Sequence, residues 1–197
     1  MGEGMKIAFF PPSSRSNEER RRRCQDSSRR TQMTEDYFQF GRDYFDNPAL
    51  PVGYGDYRYD GRYASVATAM CEHYGLRPGA RVLEIGCAKG FLLVEFRKLG
   101  LEVAGLDMSA YAIAHAHPGA RPFLHLGDAA VLPFPDRSFD FVVGKEVLPH
   151  IPEDRIRDAI RECMRVSKGP IFFEVQCGTT PLELDYLCRW DGTHRIA

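Results

Sequence analysis

Arg81-Val82-Leu83-Glu84-Ile85-Gly86-Cys87-Ala88-Lys89-Gly90 decides the fold. Val82 to Ile85 reads as a buried parallel strand that breaks into a glycine-bearing turn, and Gly90-Phe91-Leu92-Leu93-Val94 opens a helix. Such a turn brings backbone close to a ligand, because glycine has no side chain to obstruct it. The first N–H groups of the helix are without intrahelical partners and face that ligand. Glu84 is an acid in an otherwise apolar strand and needs a partner.

Strands and helices alternate outward from this turn. Helix Phe91–Leu99 stops at Gly100. Strand Glu102–Leu106 leads to a helix capped by Ser109 and running from Ala110 to about Ala116. Strand Pro122–Leu126 precedes the loop Leu132-Pro133-Phe134-Pro135-Asp136, and strand Phe139–Gly144 precedes a helix from about Glu153 to Val166. Ile156, Ala159, Ile160, Cys163 and Met164 give that helix an apolar face. Strand Pro170–Val175 is the last clear element. The alternation predicts an α/β fold, a Rossmann-like doubly wound parallel sheet with right-handed crossovers. In such a sheet ligands bind at the carboxyl ends of the strands, where strand order reverses.

Three segments are expected. Residues 1–36 read as a basic, flexible arm: seven arginines between Arg15 and Arg30 against Glu18, Glu19 and Asp26 leave a net +4 there. Residues 37–75 form an aromatic-rich extension or cap, with nine Tyr and Phe residues between Tyr37 and Tyr63 and breaks at Gly53, Gly55 and Gly61. That segment reads equally as a lid over a substrate or as packing over the sheet edge. It ends in a helix from about Arg62 to Tyr74, stopped by Gly75. Residues 76–197 form the ligand-binding α/β domain.

The overall charge of −1 argues against a nucleic-acid partner bound by bulk charge, and no apolar run is long enough to cross a membrane. The N-terminus has too short an apolar core for a secretory signal. The six cysteines show no metal-type spacing and read as reduced packing thiols of a cytoplasmic protein, with no metal expected.

The chemistry lies at the strand ends. Asp107 ends the second strand, 17 residues past Gly90, where a carboxylate is placed to accept both hydroxyls of a ribose. Gly127-Asp128-Ala129 ends the third strand, so Asp128 sits at the same edge, able to accept from an adenine amine, with Ala129 supplying a backbone N–H. Lys145, Glu146 and His150 follow the fourth strand.

Taken together, Glu84-Ile85-Gly86-Cys87-Ala88-Lys89-Gly90, Leu106-Asp107-Met108-Ser109, Gly127-Asp128-Ala129 and Leu132-Pro133-Phe134-Pro135-Asp136-Arg137-Ser138-Phe139-Asp140 resemble the ordered motifs of class I S-adenosylmethionine-dependent methyltransferases over about residues 54–175. The resemblance implies that Gly86, Cys87, Ala88 and Gly90 wrap the methionine part of S-adenosylmethionine and that Glu84 holds the loop or the amino group. It also implies that Asp107 takes the ribose, Met108 packs on the adenine face, and Asp128 with Ala129 reads the adenine edge. Lys145 and Glu146 stand on the substrate side, Lys145 being grouped with the cofactor residues. The product would be S-adenosylhomocysteine. Gly53 to Tyr63 is similar to a segment of bacterial members associated with small-molecule or sugar acceptors.

Two departures from the family pattern carry expectations. Ala88 replaces a common glycine and is expected to confine that position to negative φ. After Val175 only 22 residues remain, so the family's C-terminal β-hairpin is expected to be missing. Strand 170–175 would then be an exposed edge, to be covered by a second copy in a homodimer or by further chain. Methyl transfer is an in-line displacement that needs positioning and, for some acceptors, a base. His150, Glu146 and His194 are the candidates for the base, and Tyr57 and Tyr59 for substrate contacts. For His150, packing under the following helix is the stronger expectation. The rival reading is a cofactor-binding or interaction module that keeps the fold without the catalysis. A nicotinamide dehydrogenase does not fit, since the loop lacks G-x-G-x-x-G.

Overall fold

The computed structural model describes residues 9–10, 33–50 and 53–175. Strands β1 (Arg81–Ile85), β2 (Glu102–Asp107), β3 (Leu124–Leu126), β4 (Phe141–Lys145) and β5 (Ile171–Glu174) form one sheet of order β3-β2-β1-β4-β5. Every pairing is parallel. The chain leaves β1 for β2 and β3 on one side, then returns to place β4 on the other. The order therefore reverses at β1, and the crevice there is where an open α/β sheet binds its ligand.

Helices α1 (Glu35–Phe38), α2 (Arg42–Phe45), α3 (Ala64–Tyr74), α4 (Phe91–Lys98), α5 (Ala110–Ala114) and α6 (Glu153–Val166) complete the described elements. Alternate residues of β1 serve opposite faces of the sheet. Val82 joins Val66, Met70, Leu92, Phe96 and Phe141 under α3 and α4. Leu83 and Ile85 join Leu106, Val142, Ala159, Cys163 and Val166 under α6. Burial on both faces goes with the apolar run Phe141–Val143 of β4 and with Val82, Leu83 and Ile85 of β1, where Glu84 is the exception.

Several expected boundaries move, each for a local reason. Pro122 has no N–H to give to a ladder, so Arg121–Phe123 turns as a 3₁₀ helix and β3 begins at Leu124. The fourth strand enters the ladder at Phe141 rather than Phe139. Phe139 makes an isolated bridge to Ser167, and the Asp140 carboxylate accepts the Arg81 N–H at 2.8 Å. The helix after β2 is short, ending at Ala114. The apolar face of α6 is narrower than its periodicity suggests: Ala159, Cys163 and Val166 are buried, while Ile160 and Met164 are exposed on the flank.

Phe9 and Phe10, inside the span read as a flexible arm, pack on the domain. Phe10 is buried against Tyr63, and Phe9 sits edge-on to Phe172 of β5. Among the described strands β5 has a neighbour on one side only. No helix among the described residues is long and apolar enough to cross a membrane.

Candidate active site

The crevice at the order reversal holds a cavity of about 310 Å³. Its floor is the end of β1 and the turn after it (Ile85, Gly86, Ala88), with Asp107 and Met108 from the end of β2. One side is Gly127, Asp128 and Ala129 after β3. The other is Lys145 at the end of β4, with Glu146, Val147 and His150 after it. The roof is aromatic: Phe38, Phe40, Tyr44, Phe45 and Tyr54.

The floor is held by Asp107. Its Oδ2 accepts the Ala88 N–H at 2.7 Å and its Oδ1 the Ser109 N–H at 2.8 Å. One buried carboxylate thus ties the glycine turn of β1 to the start of α5. Burial raises the Asp107 pKa, and the N–H groups of Ser109, Ala88 and Met108 oppose the rise. Each carboxylate oxygen has a second lone pair, and Asp107 faces the cavity, so it can also accept a pair of ligand hydroxyls. Gly86 has φ +69°, and a Cβ there would meet Val147 Cγ2 at 2.6 Å, so the turn needs glycine on both counts.

Ala88 corrects an expectation. It adopts φ +47°, the left-handed region, rather than staying at negative φ. The bond to Asp107 holds it there against a local cost of about 1–2 kcal/mol. Phe40 (φ +53°) and Glu146 (φ +54°) share this conformation. Three of the four non-glycine residues with positive φ among the described residues therefore line the same cavity. Strained backbone of this kind persists where the surroundings over-determine it, typically at ligand sites. The surroundings are visible here: Ser109 Oγ donates to the Phe40 carbonyl at 2.6 Å, and the Glu146 N–H donates to the Glu174 carbonyl at 2.7 Å.

Glu84 is 6% exposed, points away from the Ile85 face of β1, and leaves its Oε2 without a hydrogen-bond partner. Burial pushes its pKa well up, Asp107 adds to the rise, and Lys145 opposes it. Lys145 Nζ lies 5.4 Å from the Phe10 ring centroid. Met108 is 63% exposed although its side chain borders the cavity. Asp128 accepts the Ala130 N–H at 2.8 Å and pairs with Arg155 at 2.5 Å.

Other predicted residues fall differently. His150 and Glu146 line the cavity, and the His150 ring stands edge-on to Phe40 at 5.5 Å. Cys87 and Gly90 support the turn without lining the cavity: Cys87 is buried, and Gly90 begins α4 at φ +74°. Tyr57 and Tyr59 do not line it either. Tyr57 stacks on Phe91 at 4.7 Å, and its burial raises its pKa well above the ordinary value. The Tyr59 hydroxyl bonds Glu95 and accepts from Lys98. Both are consumed in packing, and Tyr54 faces the cavity instead. His194 lies outside the described residues.

Sequence reasoning missed the individual roof residues and the group that holds the roof down. Lys89 is 7% exposed, and its ammonium donates to both oxygens of Asp46 at 2.6 Å and to the Tyr57 carbonyl at 3.0 Å. Tyr111 donates to Asp46 at 2.8 Å. A charged residue amid the small residues of a buried turn was the available signal; its partner, 43 residues earlier, was not.

Residues 83–170 match the protein family described as "Methyltransferase domain". The chain is 36% identical over 120 residues to a sterol 24-C-methyltransferase (ERG6B) of Gibberella zeae, covering 54% of this chain and 31% of that protein. It is 31% identical over 103 residues to a ubiquinone biosynthesis O-methyltransferase of Rhodopseudomonas palustris, covering 47% and 41%. The chain thus spans less than half of either relative. A solved SAM-dependent methyltransferase from Archaeoglobus fulgidus superposes with a TM-score of 0.56 at 23% identity, over 68% of this chain and 62% of that one, and shares the fold. The sheet order, the four motifs in sequence and these likenesses agree: residues 83–170 match a methyltransferase domain, and the chain is similar there to S-adenosylmethionine-dependent methyltransferases.

Proposed function

We propose that the chain binds S-adenosylmethionine in the cavity above β1 and β2 and methylates a small acceptor with an apolar or aromatic body. The observation that carries the reading is Asp107, buried at the carboxyl end of β2 and facing a cavity whose floor is the glycine turn. The residues fit an adenosyl ligand: Asp107 for the ribose, exposed Met108 for an adenine face, and Gly127-Asp128-Ala129 for the adenine edge. Gly86 and Ala88 offer close backbone to the methionine part, and buried Glu84 with its unpartnered oxygen stands behind them. When bound, the sulfonium supplies an electrophilic methyl group.

The chain's own residues then position the acceptor and exclude water. Phe38, Phe40, Tyr44, Phe45 and Tyr54 form an apolar wall suited to a ring or a hydrocarbon. Two relatives are named for sterol and for ubiquinone biosynthesis, which supports an apolar acceptor. His150 and Glu146, on the β4 side, are the groups placed to take a proton from an acceptor hydroxyl.

Calorimetric titration with S-adenosylmethionine and S-adenosylhomocysteine tests the reading. The wild type should bind both, and Asp107→Asn, which keeps the shape but loses the charge, should bind at least about tenfold more weakly. Equal affinities in two folded proteins would defeat the assignment of Asp107, and no wild-type binding would defeat the function.

A further inference from the structure

We propose that Lys89 and Asp46 are a positioning pair that holds the aromatic roof on the cofactor turn and so governs release of the bound cofactor. The proposal rests on the reading above that the cavity takes the adenosyl ligand. Neither residue lines the cavity, so both act through what they hold.

The roof is a separate small cluster in which Tyr37, Phe40, Tyr44 and Phe45 pack together with Ala112 of α5. Two of its polar ties to the domain reach the two cofactor motifs. At one end Ser109, directly after Asp107-Met108, donates its hydroxyl to the Phe40 carbonyl at 2.6 Å. At the other, Lys89 of the glycine turn reaches out to Asp46, immediately after α2. Asp46 accepts four hydrogen bonds from three donors: the Lys89 ammonium twice, the Tyr111 hydroxyl and the Tyr57 N–H at 3.2 Å. Burial pushes the Asp46 carboxyl up, but the bonds from Lys89 and Tyr111 outweigh it and hold the pKa below its ordinary value.

Lys89 is buried and Asp46 partly so, which screens the pair less than a surface pair, and removing Asp46 leaves the lysine charge buried. The lysine sits between Ala88, whose N–H is bonded to Asp107, and Gly90, which starts α4. Movement of the turn therefore moves the point at which the roof is anchored. The anchored roof forms one wall of the cavity, so weakening the anchor is expected to act on the dissociation rate more than on encounter.

The test measures S-adenosylhomocysteine association and dissociation by stopped flow in the wild type, Asp46→Asn and Tyr111→Phe. The tyrosine variant removes one bond to Asp46 and leaves the ion pair, which keeps the test alive if Asp46→Asn does not fold. Dissociation should accelerate by about tenfold in Asp46→Asn and by a smaller factor in Tyr111→Phe, with association within about twofold of wild type. Lys89→Arg, which keeps a charged donor, should release the ligand more slowly than Lys89→Met. Unchanged dissociation in folded variants would overturn the pair's role while leaving the cofactor site intact. Failure of the wild type to bind S-adenosylhomocysteine would overturn both.

Discussion

Asp107 Oδ2 accepts the N–H of Ala88 at 2.7 Å, across 19 residues of chain, and so fixes the turn after β1 to the end of β2. The bond explains how an alanine keeps φ +47° where a glycine would be at ease. It also means that the residue read as the ribose acceptor shapes the loop beneath the ligand.

Ala88→Gly should therefore stabilise the protein. Relief of the left-handed strain is worth about 1–2 kcal/mol, and the added freedom of the unfolded chain returns about half of it. Urea unfolding should show a net gain of about 0.5–1 kcal/mol; a loss would mean that Ala88 is not strained.

Gly86→Ala should be destabilising by about 2–3 kcal/mol, since it adds left-handed strain to a steric conflict with Val147 at 2.6 Å. Adding Val147→Ala should recover the steric part and leave the strain. A double variant no better than Gly86→Ala would show that Val147 is not the obstacle.

Glu84 gives the protein a pH dependence of defined sign. Its folded pKa is raised by burial, so the folded state holds that proton more tightly than the unfolded state, whose value is near 4.5. Stability is then fullest below that value and falls as pH rises through the folded pKa, at about 1.4 kcal/mol per unit of separation. Urea midpoints should decline over this window in the wild type and stay flatter in Glu84→Gln, which should be the more stable of the two at alkaline pH. Parallel profiles would contradict the assignment.

Met108 is exposed at the cavity edge with little to pack against. Met108→Ala should leave unfolding stability within about 0.5 kcal/mol while weakening S-adenosylhomocysteine binding by about tenfold, the worth of one well-buried thioether side chain. A variant that loses stability but keeps affinity would make Met108 a packing residue.

The parts of the site legible in the sequence are those written in short spans. Val82 to Gly90 shows strand, turn and helix within one stretch, and Asp107 and Asp128 follow from where β2 and β3 end. The parts that were not legible depend on long-range pairing. The φ of Ala88 is decided by a carboxylate 19 residues away, and local preference alone pointed the other way. The partner of Lys89 lies in the aromatic segment, where spacing says only that rings are numerous. Tyr54, Tyr57 and Tyr59 look alike in sequence; only the packing of Tyr57 on Phe91 and of Tyr59 beside Glu95 sets Tyr54 apart at the cavity.

Hydrogen–deuterium exchange with and without saturating S-adenosylhomocysteine tests most directly whether this cavity is the cofactor site. Protection should appear at residues 86–90, 107–109 and 127–130 and in the roof at 38–45 and Tyr54, with the far ends of the strands unchanged. Binding that protects other segments and leaves these three turns exchanging at their free rate would contradict the account.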